Sequence, residues 1–110
     1  MSFLYCEVID LRADNAEGML TIFLEGEIDA QNAPAVKKEI DACLEGSGNA
    51  AVVFDAKDLS YISSAGLKIL LAVQKEAGKR KKISVAGLRP EVLEIFKMAG
   101  FQMLMDIKGA

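Results

Sequence analysis

Two adjacent serines, Ser63 and Ser64, stand where an apolar run gives way to a helix-forming segment, and they are the residues best placed for chemistry. Upstream, Ala50-Ala51-Val52-Val53-Phe54 reads as a buried strand. Downstream, Leu67, Leu70, Leu71 and Ala77 share one helical face, widened by Ile69 and Val73, and the segment ends near Gly78. The start of a helix exposes unpaired backbone N–H groups and favours negative charge. A serine in that position either caps the helix or receives a phosphate that the helix end stabilises. Three carboxylates lie at the ends of predicted strands. Asp55 and Asp58 are suited to ordering the turn through Asx-type bonds. Asp29 is a solvated acid, a cap for the helix after it, or a partner contact.

The sequence excludes much else. It contains no histidine, so Ser-His and Cys-His catalysis, His metal sites and histidine phosphorelay are out. Ser64 and Lys68 are four apart, which misses the S-x-x-K spacing of a serine–lysine dyad, and neither serine lies in G-x-S-x-G. No G-x-x-x-x-G-K-[ST] loop accompanies the aspartates, so Mg²⁺ or nucleotide chemistry is poorly supported. The expectation is a binding protein rather than an enzyme, with no metal and no cofactor. A net charge of −3 argues against nucleic acid as a direct partner, which needs a basic face. Neither a secretory leader nor a membrane-length apolar run is present, and the two cysteines, Cys6 and Cys43, read as buried free thiols. Together these predict a cytoplasmic protein that does not enter a membrane.

At 110 residues with 52% hydrophobic composition, the chain suits one domain, residues 1–110, with its own core. Residues 3–11 read as a first strand, residues 12–18 as a polar loop, and residues 19–24 as a second strand antiparallel to the first. Pro34 fits the first turn of a helix capped near Asn32, with Ala33, Val36, Ile40, Cys43 and Leu44 on its apolar side. Gly46-Ser47-Gly48-Asn49 breaks it. The central strand is expected to end at Asp55, and the second helix to start at Ser63 or Ser64. The basic run Lys79-Arg80-Lys81-Lys82 then suits the negative end of that helix. Residues 83–86 form a strand, Pro90 opens a third helix closed by Gly100, and residues 103–107 form an edge strand. The order β-β-α-β-α-β-α-β predicts an α/β fold, a mixed sheet of four to five strands with three main helices. In such sheets function gathers at the carboxyl ends of the parallel strands. Here those ends are Asp29 with its loop, residues 55–64, and Gly87-Leu88-Arg89-Pro90.

Three stretches in register resemble one family. Leu24-Glu25-Gly26-Glu27-Ile28-Asp29 is similar to the L-x-G-x-[LI]-D signature of the STAS domain. Residues 53–67 resemble its central motif, the phosphorylation loop of bacterial anti-sigma factor antagonists. Residues 88–101 resemble its C-terminal helix signature. The resemblance implies a phosphoprotein that binds an anti-sigma factor that is also a serine protein kinase, and so regulates transcription by partner switching. It implies that the kinase phosphorylates a serine at the start of the second helix, which releases the complex, and that a metal-dependent (PPM-type) protein phosphatase reverses the mark. By alignment the acceptor is Ser64. Many members read Asp-Ser-Ser-Gly where this chain reads Ser63-Ser64-Ala65-Gly66, so Ser63 stands as a rival acceptor. The partner-binding edge implied is Asp29, Ser60, Ile62, Ser63, Ser64, Ala65, Gly66 and Leu67. Plainer roles exist for several of these residues. Ser63 or Ser64 serves as a cap, Leu67 and Ile62 belong to the core or its rim, and Gly66 reflects a close approach or chance. The alternative function is a constitutive STAS scaffold or signalling module without a phosphoswitch.

Overall fold

The computed structural model describes residues 2–6, 11–16, 19–45, 51–78 and 82–109. Strand β1 (Ser2–Cys6) pairs antiparallel with β2 (Leu11–Ala16), and β2 pairs antiparallel with β3 (Met19–Ile28). From there the chain alternates: α1 (Ala33–Glu45), β4 (Ala51–Ile62), α2 (Ser64–Ala77), β5 (Ile83–Leu88), α3 (Pro90–Met98), a 3₁₀ turn (Phe101–Met103) and β6 (Asp106–Gly109). Strands β3 to β6 run parallel, and the six strands lie side by side in chain order. When neighbouring parallel strands are also consecutive, right-handed crossovers place every connecting helix on one face.

Burial follows from that arrangement. Side chains of a strand point alternately to opposite faces. Leu20, Ile22 and Leu24 of β3, Val52, Phe54 and Ala56 of β4, and Ile83 and Val85 of β5 are all buried. The register aligns them into rows under the helices, Leu20 beside Val52 beside Ile83, and Ile22 beside Phe54 beside Val85. The intervening residues, among them Thr21, Phe23, Val53, Asp55, Ser84 and Ala86, are only half-buried. From above, Val36 and Ile40 of α1, Leu70 and Val73 of α2, and Val92 and Phe96 of α3 close the core. Phe96 meets Phe101 edge-on at 5.1 Å between ring centroids.

The α/β class, the antiparallel start, the three helices and an edge strand at the C-terminal end are as the sequence predicts. Pro90 opens α3, and Gly100, at φ 80°, follows it in the left-handed region. The strand count is six. The polar stretch expected to be a loop after residue 11 is strand β2 through Ala16. The last strand begins at Asp106, and Met103 belongs to the 3₁₀ turn. Strand β3 runs on to Ile28, and β4 runs past Asp55 to Ile62. The expectations for residues 7–10, 17–18, 46–50 and 79–81 lie outside the described residues. Cys43 is buried and forms no disulfide among the described residues.

The extension of β4 positions the site. Along β3 and β4 the register passes from Phe23 beside Asp55 to Glu25 beside Asp58, and from Gly26 beside Leu59 to Glu27 beside Tyr61. Each shift inserts one extra residue into β4, and such bulges bend a strand and increase its twist. The buried residues there, Ala56, Leu59 and Ile62, are consequently spaced by three instead of two. After both bulges the two strands finish level, with Ile28 beside Ile62.

Candidate functional site

Because β3 and β4 end together, Asp29 and Ser63 leave the sheet as neighbours. The Ser63 backbone N–H donates to the Ile28 carbonyl at 2.9 Å. Two helices therefore begin side by side, α1 four residues after Asp29 and α2 at Ser64.

The α1 side is held by a reciprocal pair of residues. The Asp29 carboxylate accepts from the backbone N–H groups of Gln31 (2.9 Å) and Asn32 (3.1 Å). The Asn32 side chain returns the bond, its carbonyl oxygen accepting from the Asp29 N–H at 2.9 Å and its amide donating to the Glu27 carbonyl at 2.9 Å. Short polar side chains that bond local backbone in this way satisfy donors a helix start leaves open. Asp29 thus orders this loop.

On the α2 side the two serines divide the work. Ser63 is extended (φ −86°, ψ 173°), and its hydroxyl oxygen accepts from the Gly66 N–H at 3.2 Å. That is the N-cap geometry. Ser64 is the first helical residue and is exposed. Its hydroxyl has no protein partner among the described residues.

Gly66 is explained from below. It is buried, and a Cβ built on it would come within 2.6 Å of Ile62 Cγ1, 2.9 Å of Ile28 Cγ2 and 3.2 Å of the Ile28 carbonyl oxygen. The helix start therefore rests directly on the ends of both strands. Ile62 is 1% exposed. Gly66 and Ile62 shape the site from beneath and offer no side chain to a partner, unlike their place in the predicted edge. Ala65 and Leu67 are half-buried against the core. Ser60 is exposed and donates its hydroxyl to the Gly26 carbonyl at 3.0 Å, bridging the second bulge, where Gly26 takes φ 77°.

Two exposed neighbours are missing from the predicted set, Tyr61, 45% exposed, and Glu27, its register partner on β3. A bulge turns consecutive residues outward, and strict alternation gives no sign of it. Farther along β4, the Asp55 carboxylate accepts from the Lys57 N–H at 3.1 Å, as the sequence suggested. Arg89, from the β5–α3 connection, donates its Nε to the Lys57 carbonyl at 3.0 Å. The third strand end thus braces β4 at its first bulge. No group of three or more metal-ligating side chains occurs among the described residues. No helix of the described residues is long and apolar enough to cross a membrane.

Comparison with known proteins places the fold and the sequence in one family. The STAS domain family matches residues 10–109. A Bordetella bronchiseptica protein, BtrV, described as an anti-sigma factor antagonist, is 34% identical over 91% of this chain and 86% of its own. The anti-sigma-B factor antagonist of Listeria monocytogenes is 29% identical over 82% of this chain and 79% of its own. Among solved structures, an anti-sigma factor antagonist from Mycobacterium paratuberculosis superposes with a TM-score of 0.83 at 25% identity, covering 97% of this chain and 92% of that one. The family match over residues 10–109 and these relatives show that the chain belongs to the STAS domain family.

Proposed function

We propose that this protein is an anti-sigma factor antagonist whose partner, an anti-sigma factor with serine kinase activity, docks on the edge formed by the Asp29 loop, Ser60 and the start of α2. Phosphorylation of Ser64 by that partner ends the complex, and a phosphatase restores it. The observation that carries the reading is the division of labour between the serines. Ser63 is engaged as the cap, and Ser64, one residue on, presents an exposed hydroxyl with no partner among the described residues.

In the transfer step, Ser64 Oγ attacks the γ-phosphorus of ATP. The Oγ–P bond forms, the bond to the bridging oxygen breaks, and ADP leaves. The hydroxyl proton passes to a base of the kinase or to solvent. The product adds roughly −1.5 to −2 charges at pH 7. The fold accepts them, because a helix N-terminus favours negative charge. A partner surface matched to a neutral hydroxyl does not. The switch is therefore electrostatic and needs no large movement.

The test is incubation with the kinase and ATP, followed by mass spectrometric mapping, alongside binding by two variants. The expected result is one phosphate, on Ser64, with Ser64→Asp losing the partner and Ser64→Ala keeping it. Phosphate on Ser63 overturns the assignment, and equal binding by both variants favours a constitutive scaffold.

A further inference from the structure

The first two turns of α2, Ser64-Ala65-Gly66-Leu67-Lys68-Ile69-Leu70, contain a single charged side chain, Lys68. Ala65, Leu67 and Ile69 are half-buried, Gly66 and Leu70 are buried, and Ser64 and Lys68 are the exposed residues of this half of the helix. They are four apart. At about 100° per residue in an α-helix they lie roughly 40° apart around the axis, one turn above the other, on one exposed stripe. An anion at i with a lysine at i+4 is also the favourable orientation of such a pair on a helix. Lys68 has no hydrogen bond or ion pair to any described residue. Two carboxylates at the neighbouring end of β3, exposed Glu27 and half-buried Asp29 just after the strand, have the opposite effect on an added anion.

We propose that Lys68 is the intramolecular counter-ion of a phosphate on Ser64, holding it along α2 in its doubly charged form. This rests on the phosphoswitch reading for the origin of the phosphate, but its chemistry is separable from the kinase. Lys68 acts here as a positioning residue. It keeps the added charge on the docking face and offsets the repulsion from Glu27 and Asp29. Lysine suits this role, because its ammonium is a flexible point charge that can follow a tetrahedral phosphate.

The experiment uses the full chain with phosphoserine installed at position 64 by genetic encoding, so no kinase is needed. Phosphorus NMR follows the second ionisation of the phosphate, ordinarily near pH 6, in the parent chain and in Lys68→Gln, Lys68→Arg and Lys75→Gln. Lys75 is exposed on the same helix, about 16 Å along its axis from Ser64 at 1.5 Å per residue, and is the control. The expected result is a rise of about 0.2–0.4 pH unit in Lys68→Gln, the size set by an i,i+4 ion pair on a helix surface. Lys68→Arg should keep the parent value, and Lys75→Gln should stay within about 0.1 unit of it, since salt screens beyond roughly 10 Å. Equal values for Lys68→Gln and Lys75→Gln overturn the proposal and leave the phosphoswitch standing. Failure of the kinase to modify Ser64 removes the switch and leaves this measurement unaffected.

Discussion

Adding one methyl group at Gly66 tests how the site is built. The new Cβ would lie 2.6 Å from Ile62 Cγ1 and 2.9 Å from Ile28 Cγ2, both inside van der Waals contact. Neither neighbour can yield easily, because Ile28 and Ile62 are 0% and 1% exposed. Overpacking of a filled core typically costs about 1–3 kcal/mol. Alanine gains up to roughly 1 kcal/mol over glycine in a helix interior, and less in a first turn. The two terms oppose each other, and the steric one is larger. Gly66→Ala should therefore lose about 1–2 kcal/mol of stability, a fall in Tm of roughly 4–12 °C for a domain near this size. Relief requires the start of α2 to lift from the strand ends, which also loads the Ser63 N–H to Ile28 carbonyl bond of 2.9 Å. The assay is urea unfolding followed by circular dichroism, with partner binding measured on the folded variant. A Gly66→Ala protein as stable as the parent, or more so, would show that the helix does not rest on Ile28 and Ile62.

Two further substitutions probe other parts of the structure. Ser63→Ala removes the cap on the Gly66 N–H and should cost about 0.5–2 kcal/mol, while Ser63→Asp should keep most of the stability; urea midpoints give both values. Lys37 of α1 lies 2.7 Å from Asp41 and 3.3 Å from Glu76 of α2, and the hydrogen bond to Asp41 raises its pKa above the ordinary 10.5, the two carboxylate charges acting in the same direction and partial burial against it. Since the folded form holds this proton more tightly, the contribution is complete below pH 10.5 and fades as pH rises through the higher folded value. Lys37→Met should therefore be less stable than the parent at pH 8, and the difference should narrow in strongly alkaline buffer. A gap independent of pH would assign the loss to packing of the lysine stem.

Much of this fold is written in local chemistry. Proline admits only the first turn of a helix, so Pro34 and Pro90 mark the starts of α1 and α3. The spacing of Val36, Ile40, Cys43 and Leu44 predicts the buried face of α1, and the structure buries all four. The short apolar run at residues 51–54 reads as an inner strand, because it has no polar side to present to water.

The second half of β4 was not legible. Asp55, Lys57, Asp58 and Ser60 look like a loop, since a strand is expected to bury every second residue. Two bulges change that period to three, and whether a bulge forms depends on β3, which supplies the pairing partners Glu25, Gly26 and Glu27. Strand β2 was missed for a related reason. Its polar residues hold a strand only because β1 and β3 pair with it on both sides.

The sequence alone determined that a serine pair opens a helix after a buried strand and that no histidine is available to activate it. Only the tertiary structure decided which serine caps the helix. A cap needs a specific backbone N–H within reach, and the Gly66 N–H falls to Ser63 because the packing of Gly66 on Ile28 and Ile62 sets where the first turn lies. The same packing leaves Ser64 exposed, with no hydroxyl partner among the described residues and with Lys68 one turn along the stripe.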